Sequence, residues 1–99
     1  MDGMNLSSVS KILMAHQADL NQRGVKSLAV FGSFARGAAT DNSDIDVLVE
    51  FDQPVGLFEF IRLKYYLEEL TKRRVDLVTP DALRPSMRES ILSEAVHVA

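Results

Sequence analysis

Hydrophobic positions recur every three or four residues over the first quarter of the chain. The stripe consists of Val9, Ile12, Leu13, His16 and Leu20. This spacing is typical of an amphipathic helix, and the glycine at position 24 suits the left-handed conformation in which many helices end. We therefore predict a first helix over residues 8–23, with His16 at the edge of the core rather than binding a ligand.

Three short apolar segments have the composition of β-strands. They span residues 28–31, 45–51 and 75–79, and the first stops at Gly32. Runs of this length that are rich in β-branched and apolar residues are typical of strands inside a sheet. We therefore predict three strands at these positions.

Two more segments have helical periodicity, and they decide the fold class. They span residues 57–72 and residues 85–95, and a short helical turn is also expected after the first strand. This order predicts an α/β (α+β) fold in which helices flank a small mixed β-sheet. Because no repeat or linker divides the 99 residues, we expect a single domain.

The helix predicted over residues 57–72 is apolar on two opposite sides. One side carries Phe60, Leu63, Leu67 and Leu70, and the other carries Phe58, Ile61 and Tyr65. A helix with two apolar sides is expected to be buried twice. The second stripe either packs against the C-terminal helix of the same chain or forms a face for a protein partner, where aromatic residues are enriched.

Composition and charge limit the environment and the partners. The chain has no cysteine, which removes disulfides, thiolate metal sites and cysteine nucleophiles. The net charge is −3 and neither half is basic, so tight nucleic-acid binding is not expected. The N-terminus lacks the apolar segment of a signal peptide, and the longest apolar run is far below the ~20 residues of a membrane span. We therefore expect a cytoplasmic protein that does not enter membranes.

The first predicted strand ends in a glycine–serine turn that suits phosphate. The segment reads Gly32-Ser33-Phe34-Ala35-Arg36-Gly37. A strand that leads into a helical turn exposes backbone N–H groups, which bind phosphate oxygens; Gly32 permits close approach, and the hydroxyl of Ser33 adds a donor. Arg36 either reaches a phosphate or braces the loop against an acidic neighbour.

Two aspartates open the second strand, and a third lies inside the third strand. Asp44 and Asp46 are two positions apart, which places both side chains on one face with Cα atoms roughly 6.5–7 Å apart. Neighbouring carboxylates repel one another unless a cation lies between them, and hard oxygen ligands suit Mg²⁺. Asp76 stands in an apolar run, where an unpaired buried carboxylate is costly. It either pairs with Arg73 or Arg74 or joins the other two aspartates.

The aspartates allow two interpretations. Asp44 and Asp46 alone could belong to a solvated acidic turn, because residues 41–43 also favour a turn. Together with Asp76 they could hold two metal ions, the arrangement used for in-line displacement at phosphorus.

In combination these motifs resemble the DNA polymerase β-like nucleotidyltransferase superfamily. The chain has a strand ending in Gly32-Ser33, then ten residues, then Asp44-x-Asp46, and then Asp76 on a later strand. It is most similar to the minimal branch, the MNT antitoxins encoded beside HEPN-domain toxins, which it also resembles over residues 32–37, 43–49, 75–78 and 84–85. The resemblance spans about residues 8–97 of a single domain, 1–99, and implies the nucleotidyltransferase fold.

The resemblance also implies an activity and a set of site residues. The activity is Mg²⁺-dependent transfer of AMP from ATP to a tyrosine hydroxyl of a cognate HEPN ribonuclease toxin, which neutralises the toxin. The nucleotide-binding residues would be Gly32, Ser33 and Arg36. The catalytic and metal-binding residues, holding two Mg²⁺ ions, would be Asp44, Asp46 and Asp76. Asp76 would also help to deprotonate the acceptor hydroxyl.

Two other functions stay open from the sequence. The chain could be a non-catalytic antitoxin that acts by binding and occlusion, or a nucleotidyltransferase that modifies a small molecule such as an antibiotic. Larger members of the superfamily carry a helical domain for the acceptor, whereas only residues 77–99 follow Asp76. We therefore expect another chain to supply most of the acceptor site, which favours a protein substrate. The sequence leaves homo- or hetero-oligomeric assembly open.

Overall fold

Four β-strands form one mixed sheet in the structure, a computed structural model that describes residues 4–99. The strands are β1 (Val25–Phe31), β2 (Ile45–Phe51), β3 (Val75–Val78) and β4 (Val96–His97). Their order across the sheet is β3-β2-β1-β4; β1 is antiparallel to both of its neighbours, and β2 is parallel to β3. The predicted small mixed sheet is therefore confirmed.

The helices lie where the periodicity predicts them, with one exception. Within the described residues they are α1 (Leu6–Ala15), α2 (Gln17–Gln22), α3 (Leu57–Thr71) and α4 (Pro85–Glu94), with a single 3₁₀ turn at Pro80–Ala82. α1 begins ahead of residue 8 because the side chain of Asn5 accepts a hydrogen bond from the backbone N–H of Ser8 at 2.9 Å, which caps the helix. The α/β (α+β) class is thus confirmed.

The exception is the first helix, which is interrupted at His16. The prediction of one continuous helix is wrong because the backbone N–H of His16 bonds to Leu13 O at 3.1 Å, one residue short of the α-helical partner. The imidazole Nδ1 lies 2.9 Å from the carbonyl oxygen of Ile12, the acceptor that the backbone leaves free. The ring also packs edge-on against Tyr66, with ring centroids 6.4 Å apart. His16 therefore lies at the edge of the core, as predicted.

The hydrophobic core lies on one face of the sheet. Alternate residues of the three longer strands point to this side, and all of them are buried: Leu28, Val30, Ile45, Val47, Val49, Val75 and Leu77. They pack against residues of α1 and α3, including Leu13, Leu63 and Leu67. Burying each such side chain contributes about 1.5–3 kcal/mol. Because strand residues alternate between faces, the same packing turns Asp46 and Asp76 to the opposite face.

Two of the three side chains in the second apolar stripe of α3 are exposed, and the third, Ile61, is half-buried. Phe58 and Tyr65 are 75% and 60% exposed, whereas Leu63 and Leu67 on the other side are buried. α4 buries none of its own residues, so the alternative in which the C-terminal helix covers this stripe is wrong. The stripe is free to contact another molecule.

The last residues of the chain add an edge strand that the sequence does not predict. His97 and Val96 pair with Ala29 and Val30 of β1, and the backbone N–H of Leu28 donates to Ala99 O at 2.9 Å. A two-residue strand is too short to show a period. Over residues 4–99, none of the helices combines the length and the apolar character that crossing a bilayer requires.

Candidate active site

The glycine–serine turn lies directly against Asp46 of β2. Gly32 has a left-handed backbone (φ +72°), and a Cβ atom built on it would overlap the carboxylate of Asp46. Only glycine can both adopt this left-handed backbone and leave room for the carboxylate of Asp46 without strain. The turn is helical in character, because the backbone N–H of Arg36 donates to Gly32 O at 3.1 Å. The side chain of Phe34, 1% exposed, anchors this turn in the core.

The three aspartates converge on the face of the sheet opposite the core. Asp46 and Asp76 are register partners on the parallel strands β2 and β3, so their Cα atoms are about 4.8 Å apart. Burial raises the pKa of Asp46 above its ordinary value, and the charges of Asp76 and Asp44 raise it further. The carboxylate of Asp46 is therefore close enough to those of Asp76 and Asp44 to be repelled by both.

The carboxylate oxygens of these three aspartates are ligands of the kind that a divalent cation prefers. All three side chains supply hard carboxylate oxygens, and a cation placed among them would offset the carboxylate repulsion that, after burial, raises the pKa of Asp46. Across residues 4–99, however, no three acidic or imidazole side chains already stand at metal-binding distances. The donor set fits Mg²⁺ in kind, and the metal site stays a prediction.

Asp76 forms no ion pair with the two arginines that precede it, Arg73 and Arg74. The Nη1 atom of Arg73 instead donates to the carbonyl oxygens of Thr40 and Asp41, each at 3.1 Å, and of Ser43 at 3.3 Å. Within residues 4–99 the only ion pair joins Arg36 to Glu94, so the suggestion that Arg73 or Arg74 neutralises Asp76 is wrong. Arg73 holds the loop before Asp44.

The structure adds one acidic residue to the site that sequence reasoning missed. Glu94, the last residue of α4, accepts hydrogen bonds from the backbone N–H of Gly32 at 2.8 Å and from Nη1 of Arg36 at 2.9 Å. These bonds, the one from Arg36 first, lower the pKa of Glu94. Arg36 thus takes the second of its two predicted roles and braces the loop. No local signal marks Glu94, because it lies 62 positions beyond Gly32.

The fold is that of a nucleotidyltransferase. The chain belongs to the nucleotidyltransferase domain family, whose model matches residues 13–98. It is similar to protein adenylyltransferase MntA of Thermococcus cleftensis, with 42% identity over 96 residues that cover 96% of this chain and 97% of the relative. The family expected from the motifs is confirmed.

Two solved structures extend this comparison. One, described as a minimal nucleotidyltransferase, is 38% identical, has a TM-score of 0.82, and is matched over 97% of this chain and 98% of its own. The other is a chain from a complex of a tri-AMPylated Shewanella oneidensis HEPN toxin with an MNT antitoxin. It is 15% identical with a TM-score of 0.66, over 92% of this chain and 71% of its own. At that identity the likeness shows a shared fold alone.

Proposed function

We propose that this chain is an antitoxin that transfers AMP from ATP to a tyrosine hydroxyl of a cognate HEPN-domain ribonuclease toxin. The observation that carries the proposal is the convergence of Asp44, Asp46 and Asp76 beside the turn at Gly32. The name of the Thermococcus cleftensis relative and the AMPylated toxin in the Shewanella oneidensis complex support the choice of reaction and partner.

In the proposed reaction, the acceptor hydroxyl oxygen attacks the α-phosphorus of ATP and pyrophosphate leaves. Asp44, Asp46 and Asp76 would hold two Mg²⁺ ions, which when bound neutralise the charge of the phosphate oxygens. Asp76 is exposed on the same face, so its carboxylate can accept the proton of an acceptor hydroxyl placed there.

The turn would hold the β- and γ-phosphates. Gly32 allows the backbone to approach them, and the hydroxyl of Ser33 adds a hydrogen-bond donor. The N–H of Gly32 and the guanidinium of Arg36 are both bonded to Glu94. Direct phosphate contact by either group therefore requires Glu94 to give up a hydrogen bond.

Intact-mass analysis tests the proposal. The chain is incubated with ATP, Mg²⁺ and its proposed HEPN-domain toxin, and we expect the mass of that toxin to rise by whole AMP units. Fragmentation should place the AMP on tyrosine, and a metal chelator should abolish the transfer. Asp44→Asn/Asp46→Asn is the matched inactive control. Transfer that persists in this double variant would refute the assignment of the site.

A second function is favoured by the exposed stripe of α3. With Phe58 and Tyr65 uncovered, the chain could neutralise a toxin by binding and occlusion alone. Co-expression separates the two functions: an Asp44→Asn/Asp46→Asn chain that still protects cells from the toxin supports occlusion, and one that binds the toxin without protecting supports AMP transfer.

A further inference from the structure

Arg73, the second residue before β3, connects three parts of the candidate site. Its Nη1 atom contacts the backbone carbonyl oxygens of Thr40, Asp41 and Ser43 at 3.1, 3.1 and 3.3 Å. Its guanidinium carbon lies 5.4 Å from the centre of the Phe34 ring, on the glycine–serine turn. One side chain therefore touches the turn and the loop before Asp44, from a position at the start of the strand that carries Asp76.

We propose that Arg73 is a positioning residue that fixes the loop over residues 38–44 and thereby aims Asp44 at Asp46 and Asp76. Its consequence for catalysis rests on the proposed function. Its consequence for the loop rests on the geometry of the Arg73 contacts alone.

The loop needs such a support because, apart from the packing of Ala39 against the core, its own contacts are local. The backbone N–H of Thr40 bonds to Ser43 Oγ at 2.8 Å, and that of Ser43 bonds to Thr40 O at 3.0 Å. Thr40, Asp41 and Asn42 are exposed. Three carbonyl dipoles that point at one spot repel each other unless a cationic donor lies between them, and charge-assisted hydrogen bonds are among the stronger ones in proteins. Arg73 supplies that donor from the turn between α3 and β3.

Lysine cannot reproduce this arrangement. Its side chain is one bond shorter than the path to Nη1, and it has no planar group to lie over Phe34. A lysine at position 73 would keep the positive charge beside the loop but would hold the loop less well. Arg73→Lys therefore tests whether the positive charge alone is sufficient or whether the shape of the guanidinium is needed to hold the loop.

The neighbouring Arg74 provides a matched control. It carries the same charge, stands one residue closer to Asp76 in sequence, and has an exposed side chain. Its backbone carbonyl accepts from the N–H of Ile45, a bond that substitution of the side chain leaves in place. Arg74→Ala thus removes an equal charge without removing the carbonyl contacts.

Two measurements test the proposal on Arg73→Ala, Arg73→Lys and Arg74→Ala. The first is hydrogen–deuterium exchange of the amides of residues 38–44. We expect exchange to accelerate about tenfold or more in Arg73→Ala, less in Arg73→Lys, and not at all in Arg74→Ala. The second is AMP transfer to the HEPN-domain partner, for which we expect kcat to fall about 100-fold in Arg73→Ala with little change in KM for ATP. If Arg73→Ala does not fold, both measurements are made on Arg73→Lys instead.

The outcomes separate this inference from the function on which it partly rests. Unchanged loop exchange in both Arg73 variants overturns the inference whatever the activity. Faster loop exchange with undiminished kcat overturns the link to Asp44. If the unsubstituted chain transfers no AMP, the proposed function fails, while the exchange result still decides whether Arg73 holds the loop.

Discussion

The carboxylate of Glu94 accepts a hydrogen bond from the backbone N–H of Gly32 at 2.8 Å, and so joins the end of α4 to the candidate phosphate-binding turn. Its other oxygen accepts from Arg36 at 2.9 Å. Because α4 buries no residue of its own, these bonds are a specific link between this helix and the site. A phosphate that approaches the turn therefore meets a carboxylate already bonded there.

Replacing Glu94 by glutamine should give a pH-dependent loss of stability. The bonds from Arg36 and Gly32 hold the pKa of Glu94 below its ordinary value of 4.5. A group whose pKa is lowered on folding stabilises the protein above that value, and the contribution is lost as the pH falls below it. Urea unfolding should therefore show Glu94→Gln to be less stable than the unsubstituted chain at neutral pH, with the difference shrinking below about pH 4.5.

Glu89→Gln is the control, because Glu89 is exposed on the same helix and loses the same charge. A Glu94→Gln variant that matches Glu89→Gln at every pH would contradict the assigned bonds.

Alanine at Gly32 should be more harmful than alanine at another left-handed glycine. Gly24 has φ +85° and open space around it. Gly24→Ala should therefore lower the free energy of unfolding only by the cost of a left-handed backbone in alanine, about 1–2 kcal/mol. Gly32→Ala adds an overlap with the carboxylate of Asp46 and should lose more stability as well as most of the AMP transfer. Chemical denaturation and the transfer assay check both variants; equal losses in the two would show that Gly32 and Asp46 are not in close contact.

Asparagine at Asp46 should stabilise the chain while it inactivates the site. Burial and the charges of Asp76 and Asp44 raise the pKa of Asp46 above its ordinary value of 3.8. Ionised Asp46 therefore costs folding free energy at neutral pH, and this cost disappears as the pH falls through the folded pKa. Without divalent metal, Asp46→Asn should have a higher Tm than the unsubstituted chain at neutral pH, while AMP transfer falls at least about 100-fold.

Asp52→Asn is the matched control for Asp46→Asn, because Asp52 is an exposed aspartate just beyond the far end of β2. Added Mg²⁺ should raise the Tm of the unsubstituted chain and of Asp52→Asn but not that of Asp46→Asn. A lower Tm for Asp46→Asn at neutral pH would contradict the repulsion described for the three carboxylates.

Serine in place of the exposed aromatics of α3 should weaken toxin binding and leave folding intact. Phe58 and Tyr65 are mostly exposed, so Phe58→Ser/Tyr65→Ser should change the free energy of unfolding by less than about 0.5 kcal/mol per site. If the stripe contacts the HEPN-domain partner, Kd should rise by about 30-fold or more, the effect of losing an interface anchor. Calorimetric titration measures this, with Leu92→Ser, an exposed apolar residue of α4, as the control. An unchanged Kd would exclude the stripe from the interface.

Periodicity was sufficient to predict the strands that carry Asp46 and Asp76. Strand β2 has the predicted bounds, 45–51, and β3 differs from its prediction by one residue at the C-terminal end. The alternation of Val75, Asp76 and Leu77 implies that Asp76 faces away from the core, because burying the two apolar side chains leaves the carboxylate no other direction. The strand bounds and the direction of Asp76 both depend on residues that are close together in the sequence.

Features that depend on distant residues could not be predicted in this way. The contact between Glu94 and Gly32 joins residues 62 positions apart, and the contacts of Arg73 span 30 to 33 positions. The break at His16 depends on the direction of one imidazole, which helical periodicity does not encode. β4 exists because β1 offers a free edge, not because its two residues favour a strand.

The parallel register of β3 has a consequence for errors in folding. Among residues 4–99, β3 is an edge strand whose only neighbour in the sheet is β2, and four residue pairs hold it there. A slip of one residue would bury the carboxylate of Asp76 and expose Val75 and Leu77 to water, so the misfolded chain would lose core packing and the acidic cluster together. The burial of Val75 and Leu77 thus also sets the orientation of Asp76. A chain that folds to its native stability must have Asp76 on the face of the sheet opposite the core.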